Sequence, residues 1–152
     1  MTEAPQILLD HQLKKLKLPT ILREYDKQAR LCSTEGRDHV QFLARLVELE
    51  LIDRERRMIE RRIKAAKFPA TKNLDSFDFA AIPSLNKMQV LELARCAWID
   101  RCENVIALGP SGTGKTHVAL GLGLAACQKG LTVRFTTAAA LVHELMEARD
   151  ER

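Results

Sequence analysis

Residues 104–116 read Asn104-Val105-Ile106-Ala107-Leu108-Gly109-Pro110-Ser111-Gly112-Thr113-Gly114-Lys115-Thr116. A short apolar run of strand length gives way to a glycine-rich turn, and helical sequence rich in Ala and Leu follows from Lys115 to Lys129. Positions 109–116 fit the phosphate-loop pattern G-x-x-x-x-G-K-[ST] in full. With four fixed positions at ordinary residue frequencies, such a match arises by chance about 0.005 times in a chain this long. The spacing has a physical reason. Successive backbone N–H groups must wrap a phosphate, side chains would block that approach, and Gly112 and Gly114 remove them. The helix beginning near Lys115 turns its positive end toward the anion. Lys115 is expected to reach the β- and γ-phosphates, and the Thr116 hydroxyl to bind the Mg²⁺ that bridges them. Gly109, Pro110, Ser111, Gly112, Thr113, Gly114, Lys115 and Thr116 are therefore the candidate nucleotide-binding residues, and a nucleoside triphosphate such as ATP is the expected ligand.

Beyond the loop, Gly130 closes the helix, Leu131-Thr132-Val133-Arg134-Phe135-Thr136 reads as a second strand, and Ala138 to Arg149 as a second helix. Strand, helix, strand, helix is the opening order of a parallel nucleotide-binding sheet. The predicted fold class is accordingly α/β: an N-terminal helical region, then the start of a P-loop parallel sheet with flanking helices. Hydrolysis asks for more, namely an acidic residue at the end of a later strand to hold Mg²⁺ and activate water. After Thr116 the acidic residues are Glu144, Glu147, Asp150 and Glu151, all in or just after the last predicted helix. No catalytic residue is assigned, and binding is supported better than turnover. His117 is read as an ordinary helix residue.

Upstream the texture is helical. Leu9, Leu13 and Leu16, then Ile21, Leu22 and Tyr25, recur at helical steps and predict helices over 6–17 and 20–31, separated at Pro19. Ser33 to Gly36 reads as a turn. A long helix from Asp38 to Lys67 carries an apolar stripe of Phe42, Leu46, Leu49, Ile52, Ile59 and Ile63, and Phe68-Pro69 ends it. Residues 70–83 lack periodicity and read as a linker that packs its aromatics on a neighbouring surface; Ser84 to Ile99 reads as one more helix. The predicted domains are a basic helical region at 1–67, a linker and helix at 68–103, and a partial nucleotide-binding domain at 104–152.

Charge is concentrated at one end. The chain of 152 residues carries a formal net charge of +4. Residues 1–67 hold 15 Lys/Arg against 11 Asp/Glu, so the whole excess belongs there. It is densest around Arg54, Arg57, Arg61, Arg62 and Lys64, the candidate DNA contacts, whose binding to phosphates would be salt-sensitive. The alternative is a solvated helix face with internal Glu–Arg pairs. No apolar run approaches membrane-spanning length, and the start at Met1-Thr2-Glu3-Ala4-Pro5 lacks a leader's basic and apolar segments. Cys32, Cys96, Cys102 and Cys127 form no C-x-x-C pair, which argues against zinc and for reduced thiols in the cytoplasm.

Together, residues 104–117, the segment Val133 to Val142, Leu16-Lys17-Leu18-Pro19 and the Arg-rich helix resemble the IstB-like ATP-binding proteins, AAA+-class helpers of insertion-sequence transposition related to DnaC-type helicase loaders. The resemblance covers nearly the whole chain. It implies a DNA-bound ATPase working beside a transposase, with ATP driving homo-oligomer assembly and with no membrane partner. It carries phosphate-binding roles to Gly109, Gly112, Gly114, Lys115 and Thr116. The family's acidic catalytic residues have no counterpart, so the sequence reads as truncated at its C-terminal side, with incomplete sheet edges exposed. A DnaC-like helicase loader, a non-enzymatic DNA-binding remnant and a small-molecule kinase are the competing readings. The more than 100 residues before the loop argue against the kinase.

Overall fold

The computed structural model describes residues 3–151, with side chains from residue 5 onward. The reading of Met1 and Thr2 as a start without a leader lies outside these residues. The chain forms two compact units, Met1–Met58 and Ile59–Arg152. Its helices are α1 (Glu3–Lys15), α2 (Pro19–Glu35), α3 (His39–Ala65), α4 (Lys87–Leu93), α5 (Ala97–Asp100), α6 (Lys115–Gln128) and α7 (Ala138–Asp150).

In the first unit, α1 closes on a left-handed Lys17 (φ 58°), with Leu18 N–H donating to Leu13 C=O at 3.0 Å. That turn and Pro19 at the head of α2 reverse the chain. The α2 helix runs on through Ser33 and Thr34, whose hydroxyls donate back to the carbonyls of Ala29 and Arg30, and stops at Gly36 in the left-handed region (φ 64°). The predicted turn at 33–36 therefore narrows to its glycine. Asp38 Oδ1 accepts from Gln41 N–H at 2.7 Å and caps α3. Leu13, Cys32 and Leu46 are buried between these helices, and Tyr25 donates to Asp10 across α1 and α2.

The inner face of α3 is not wholly apolar. Glu50 is buried there, while the predicted core residue Ile52 is exposed. Glu50 Oε2 accepts from the backbone N–H groups of Thr20 (2.8 Å) and Ile21 (3.1 Å). The first turn of α2 has no cap from its own N-cap residue, Leu18, so a carboxylate thirty positions away in sequence supplies one. Asp53 accepts from the Thr20 hydroxyl at 2.7 Å beside it.

In the second unit the core gathers on α6. Leu120, Leu122, Ala126 and Cys127 are buried there. The segment after α3 lies along this helix as a strap. A Cβ placed on Gly121 would stand 2.6 Å from Leu74, and one on Gly123 would stand 3.0 Å from Phe68, so these glycines are what let the strap approach. The linker does pack its aromatics on a neighbour. The single helix predicted over 84–99 is two, α4 and α5, broken where Cys96 turns left-handed (φ 63°).

The α/β reading is corrected by the structure. Among the described residues there is no strand and no sheet; the regular structure is helical. A strand exists through the ladder it shares with a neighbour. Residues 104–108 are exposed throughout, and among the described residues they share no ladder with a neighbour. Leu131, Val133 and Phe135 are half-buried while Thr132, Arg134 and Thr136 are exposed, which is a strand's alternation without its ladder. Phe135 N–H instead donates to Ala66 C=O at 2.8 Å, at the end of α3. The α7 helix, capped by the Thr137 hydroxyl, has no buried residue and exposes Leu141, Val142, Leu145 and Met146.

Candidate functional site

The turn between Leu108 and α6 depends on backbone that only glycine adopts readily. Gly109, Gly112 and Gly114 have φ of 153°, 79° and 74°. An L-residue in the left-handed region costs about 1–2 kcal/mol. At Gly112 that backbone cost is the whole constraint, since a Cβ there would meet nothing within 4 Å. Gly114 has a second constraint: a Cβ would stand 2.6 Å from Phe77 Cε2 and 3.0 Å from Phe77 Cζ.

Gly114 is the N-cap of α6 and brings no side chain to it. The first-turn N–H groups, beginning at Lys115, thus have no acceptor within the helix and no side-chain cap. Lys115 Nζ curls back over the loop. It donates to the carbonyls of Gly109 (2.9 Å) and Pro110 (2.5 Å), and lies 3.4 Å from Thr113 Oγ1. Thr113 Oγ1 itself donates to Pro110 C=O at 2.9 Å. Ser111 and Thr116 are exposed. The structure thus combines positive-φ glycine corners, an ammonium folded onto the loop's own carbonyls and a helix start left uncapped. These are the features that fit a polyphosphate.

A cavity of about 330 Å³ adjoins the loop. Leu85, Val90, Leu93, Val105–Leu108, Lys115 and Val118 are among the residues that line it.

The metal donor set is thin. Among the described residues no group of three or more His, Cys, Asp and Glu side chains could hold a metal ion. Glu144 pairs with Arg134, Glu147 with His143 at 3.2 Å and Asp150 with Arg149 at 3.1 Å. What the chain offers near the loop is the Thr116 hydroxyl, which suits a Mg²⁺ carried in by phosphates better than one held by protein alone.

Phe77 and His117, read from the sequence as a packing aromatic and an ordinary helix residue, meet beside the loop. Phe77, buried in the strap, meets His117 edge-on at 5.0 Å between ring centroids and Phe79 at 4.8 Å. His117 Nε2 lies 2.9 Å from Asn73 C=O. The spacing Phe77-x-Phe79 in an otherwise aperiodic linker was the available signal.

The basic candidates are placed unequally. Arg57 donates to Glu50 Oε1 at 3.0 Å and lies 3.3 Å from Asp53 Oδ2. Arg54 donates to Lys17 C=O at 3.3 Å and lies 3.8 Å from Glu50. These two belong to the charge cluster that holds the first unit together. Arg61 and Lys64 are exposed, and Arg62 is half-buried with its guanidinium near Gly130. Asp53 has its carboxyl held down at about 2, chiefly by its hydrogen bond from Arg56, then by that from Thr20 and by the charges of Arg56 and Arg57. Burial raises the Cys127 thiol, and the charge of Arg62 partly offsets that.

Comparison with known proteins adds a family to this geometry. Residues 11–152 match the family described as "IstB-like ATP binding protein". An ATP-binding protein of insertion sequence IS5376 from Geobacillus stearothermophilus is 39% identical over 137 residues, 90% of this chain and 55% of the relative. The corresponding protein of IS21 from Pseudomonas aeruginosa is 35% identical over 143 residues, 94% of this chain and 54% of the relative. An insertion-sequence protein of Mycobacterium tuberculosis is 38% identical over 146 residues, 95% of this chain and 57% of the relative. The chain spans about half the length of the curated relatives it matches.

Proposed function

This chain belongs to the IstB-like ATP-binding family, and we propose that residues 109–116 bind Mg·ATP and that the chain serves as a DNA-associated helper of an insertion-sequence transposase. The observation that carries the reading is the convergence of left-handed Gly112 and Gly114 with the Lys115 ammonium on one loop at an uncapped helix start. Lys115 would exchange its two carbonyls for β- and γ-phosphate oxygens. The backbone N–H groups of 111–116 would receive the remaining oxygens, and Thr116 would ligate the accompanying Mg²⁺. The ion would neutralise phosphate charge when bound.

The relatives' insertion-sequence names favour transposition over helicase loading. On this reading the N-terminal region meets DNA through Arg54, Arg57, Arg61, Arg62 and Lys64, and Arg54 and Arg57 would do so while also serving Glu50. Each phosphate neutralised adds about −0.9 to the slope of log K against log salt. A transposase partner, nucleotide-driven homo-oligomer assembly and a cytoplasmic location complete the proposal. No catalytic residue for hydrolysis is assigned within this chain.

The test is a calorimetric titration of Mg·ATP into the purified chain beside Lys115→Ala. Binding that weakens at least tenfold in the variant supports the assignment. Equal binding by both, or none by the parent chain, overturns it.

A further inference from the structure

The phosphate loop is not shaped by its own residues alone. Its last glycine is covered by the strap: the ring edge of Phe77 and the Ile82 methyl, 3.7 Å from a Cβ there, occupy the space above Gly114. Phe77 is 9% exposed, so its ring has little room to yield. It is fixed from two further sides. Phe79 meets it edge-on, and Lys87 stands 5.6 Å over the Phe79 ring. His117, one residue past Thr116, packs perpendicular to the Phe77 ring (90°) and ties the strap's Asn73 C=O to the first turn of α6. Asn73 Oδ1 in turn accepts from Ser76 N–H at 2.9 Å, closing the turn that delivers Phe77.

We infer that Phe77 is a positioning residue for the phosphate site: by packing on Gly114 it holds that residue in the left-handed conformation from which the Lys115, Thr116 and His117 N–H groups face the loop. This rests on the proposed nucleotide reading and deepens it. The mechanism is steric. With the ring in place, Gly114 is confined to backbone that keeps its α-carbon face against the aromatic edge. Without it, glycine's wide conformational range is restored and the loop loses preorganisation. Because the ring acts on the loop, its removal weakens every ligand that uses the loop, with or without a base attached.

The experiment compares Mg·ATP and magnesium tripolyphosphate binding to the full chain, to Phe77→Leu, and to Phe68→Leu. Each is measured well below its own melting temperature. Phe68 packs on Gly123 in the same helix with similar closeness, but far from the loop, and so controls for lost core packing. Phe77→Leu is expected to weaken both ligands by the same factor, about tenfold, while Phe68→Leu leaves both unchanged. A double-mutant cycle tests whether the ring acts on Gly114 itself. Gly114→Ala should cost less affinity in the Phe77→Leu background than in the parent, because the clash is gone and only the backbone penalty remains. If Phe77→Leu does not fold, Phe77→Met, whose flexible chain fills irregular space without the flat edge, carries the same comparison.

Loss of ATP affinity alone means the ring touches the nucleoside, and overturns the inference. Equal losses in Phe77→Leu and Phe68→Leu, or strict additivity with Gly114→Ala, also overturn it. A parent chain that binds neither ligand refutes the nucleotide reading itself. A parent that binds while Phe77→Leu binds equally well refutes only the positioning role.

Discussion

Replacing Glu50 by Ala tests whether the first unit is held by a cap that local sequence does not provide. The substitution removes the acceptor of the Thr20 and Ile21 N–H groups at 2.8 and 3.1 Å and of the Arg57 guanidinium at 3.0 Å. A lost helix cap costs about 1 kcal/mol. Thr20 is buried, so its N–H is left without water, which adds about 1–3 kcal/mol. Breaking a fully buried ion pair costs about 3–5 kcal/mol. Arg57, however, is 36% exposed and keeps Asp53, so it relaxes into solvent and adds little. The expected loss is about 3 kcal/mol, a fall in melting temperature of about 6–12 °C for a chain of this size. Glu50→Gln keeps an acceptor without the charge at the helix start and should lose only about 1 kcal/mol. Urea unfolding followed by circular dichroism gives the energies, and hydrogen exchange at the Thr20 and Ile21 amides gives the location. If Glu50→Ala costs under about 1 kcal/mol and both amides stay protected, α2 is capped by something else and the reasoning fails.

Other outcomes follow from the same structure. Asp53 titrates at about 2 when folded, below an ordinary carboxyl, so its stabilising contribution is complete above about pH 4 and is lost as pH falls toward 2. The urea midpoint should decline over that window, and Asp53→Asn should flatten the decline; an unchanged acid limb would refute the assignment. Cys102 is exposed while Cys32, Cys96 and Cys127 are buried, so maleimide labelling of the native chain, read by mass spectrometry, should modify Cys102 first. Cys127, with its thiol also raised by burial, should resist labelling until unfolding; early labelling at Cys127 would show that the α6 core opens readily.

Helical spacing was the most legible feature of the sequence. It placed α1, α2 and α3 to within a few residues, because each carries enough repeats of its apolar period to identify itself, while Ala- and Leu-rich composition and the closing Gly130 marked α6. The motif at 109–116 was equally plain, since its glycines and lysine stand at fixed local spacing. What escaped was non-local. Glu50 is one carboxylate among several on a charged helix, and nothing nearby announces that its partners lie at Thr20 and Ile21. Cys96 breaks the 84–99 segment with neither glycine nor proline to mark the place. Phe77 gains its significance only when Gly114 is brought beneath it. The strands failed for a related reason: the pattern of Leu131 to Thr136 records which side faces inward, whereas a sheet also needs a neighbour, and the described residues supply none.

The bent-back Lys115 has a consequence for which anions the loop can accept. Its ammonium is already held by two carbonyl oxygens. A ligand must replace both before it gains anything, and charge-assisted bonds contribute about 1.5–3 kcal/mol each. On the proposed reading, chloride or a single carboxylate would return too little to displace both carbonyls. Only a ligand presenting several charged oxygens within one lysine's reach makes the exchange favourable. If residues 109–116 bind nucleotide as proposed, the loop would act as a valence filter, sorting solutes by charge density before shape is consulted.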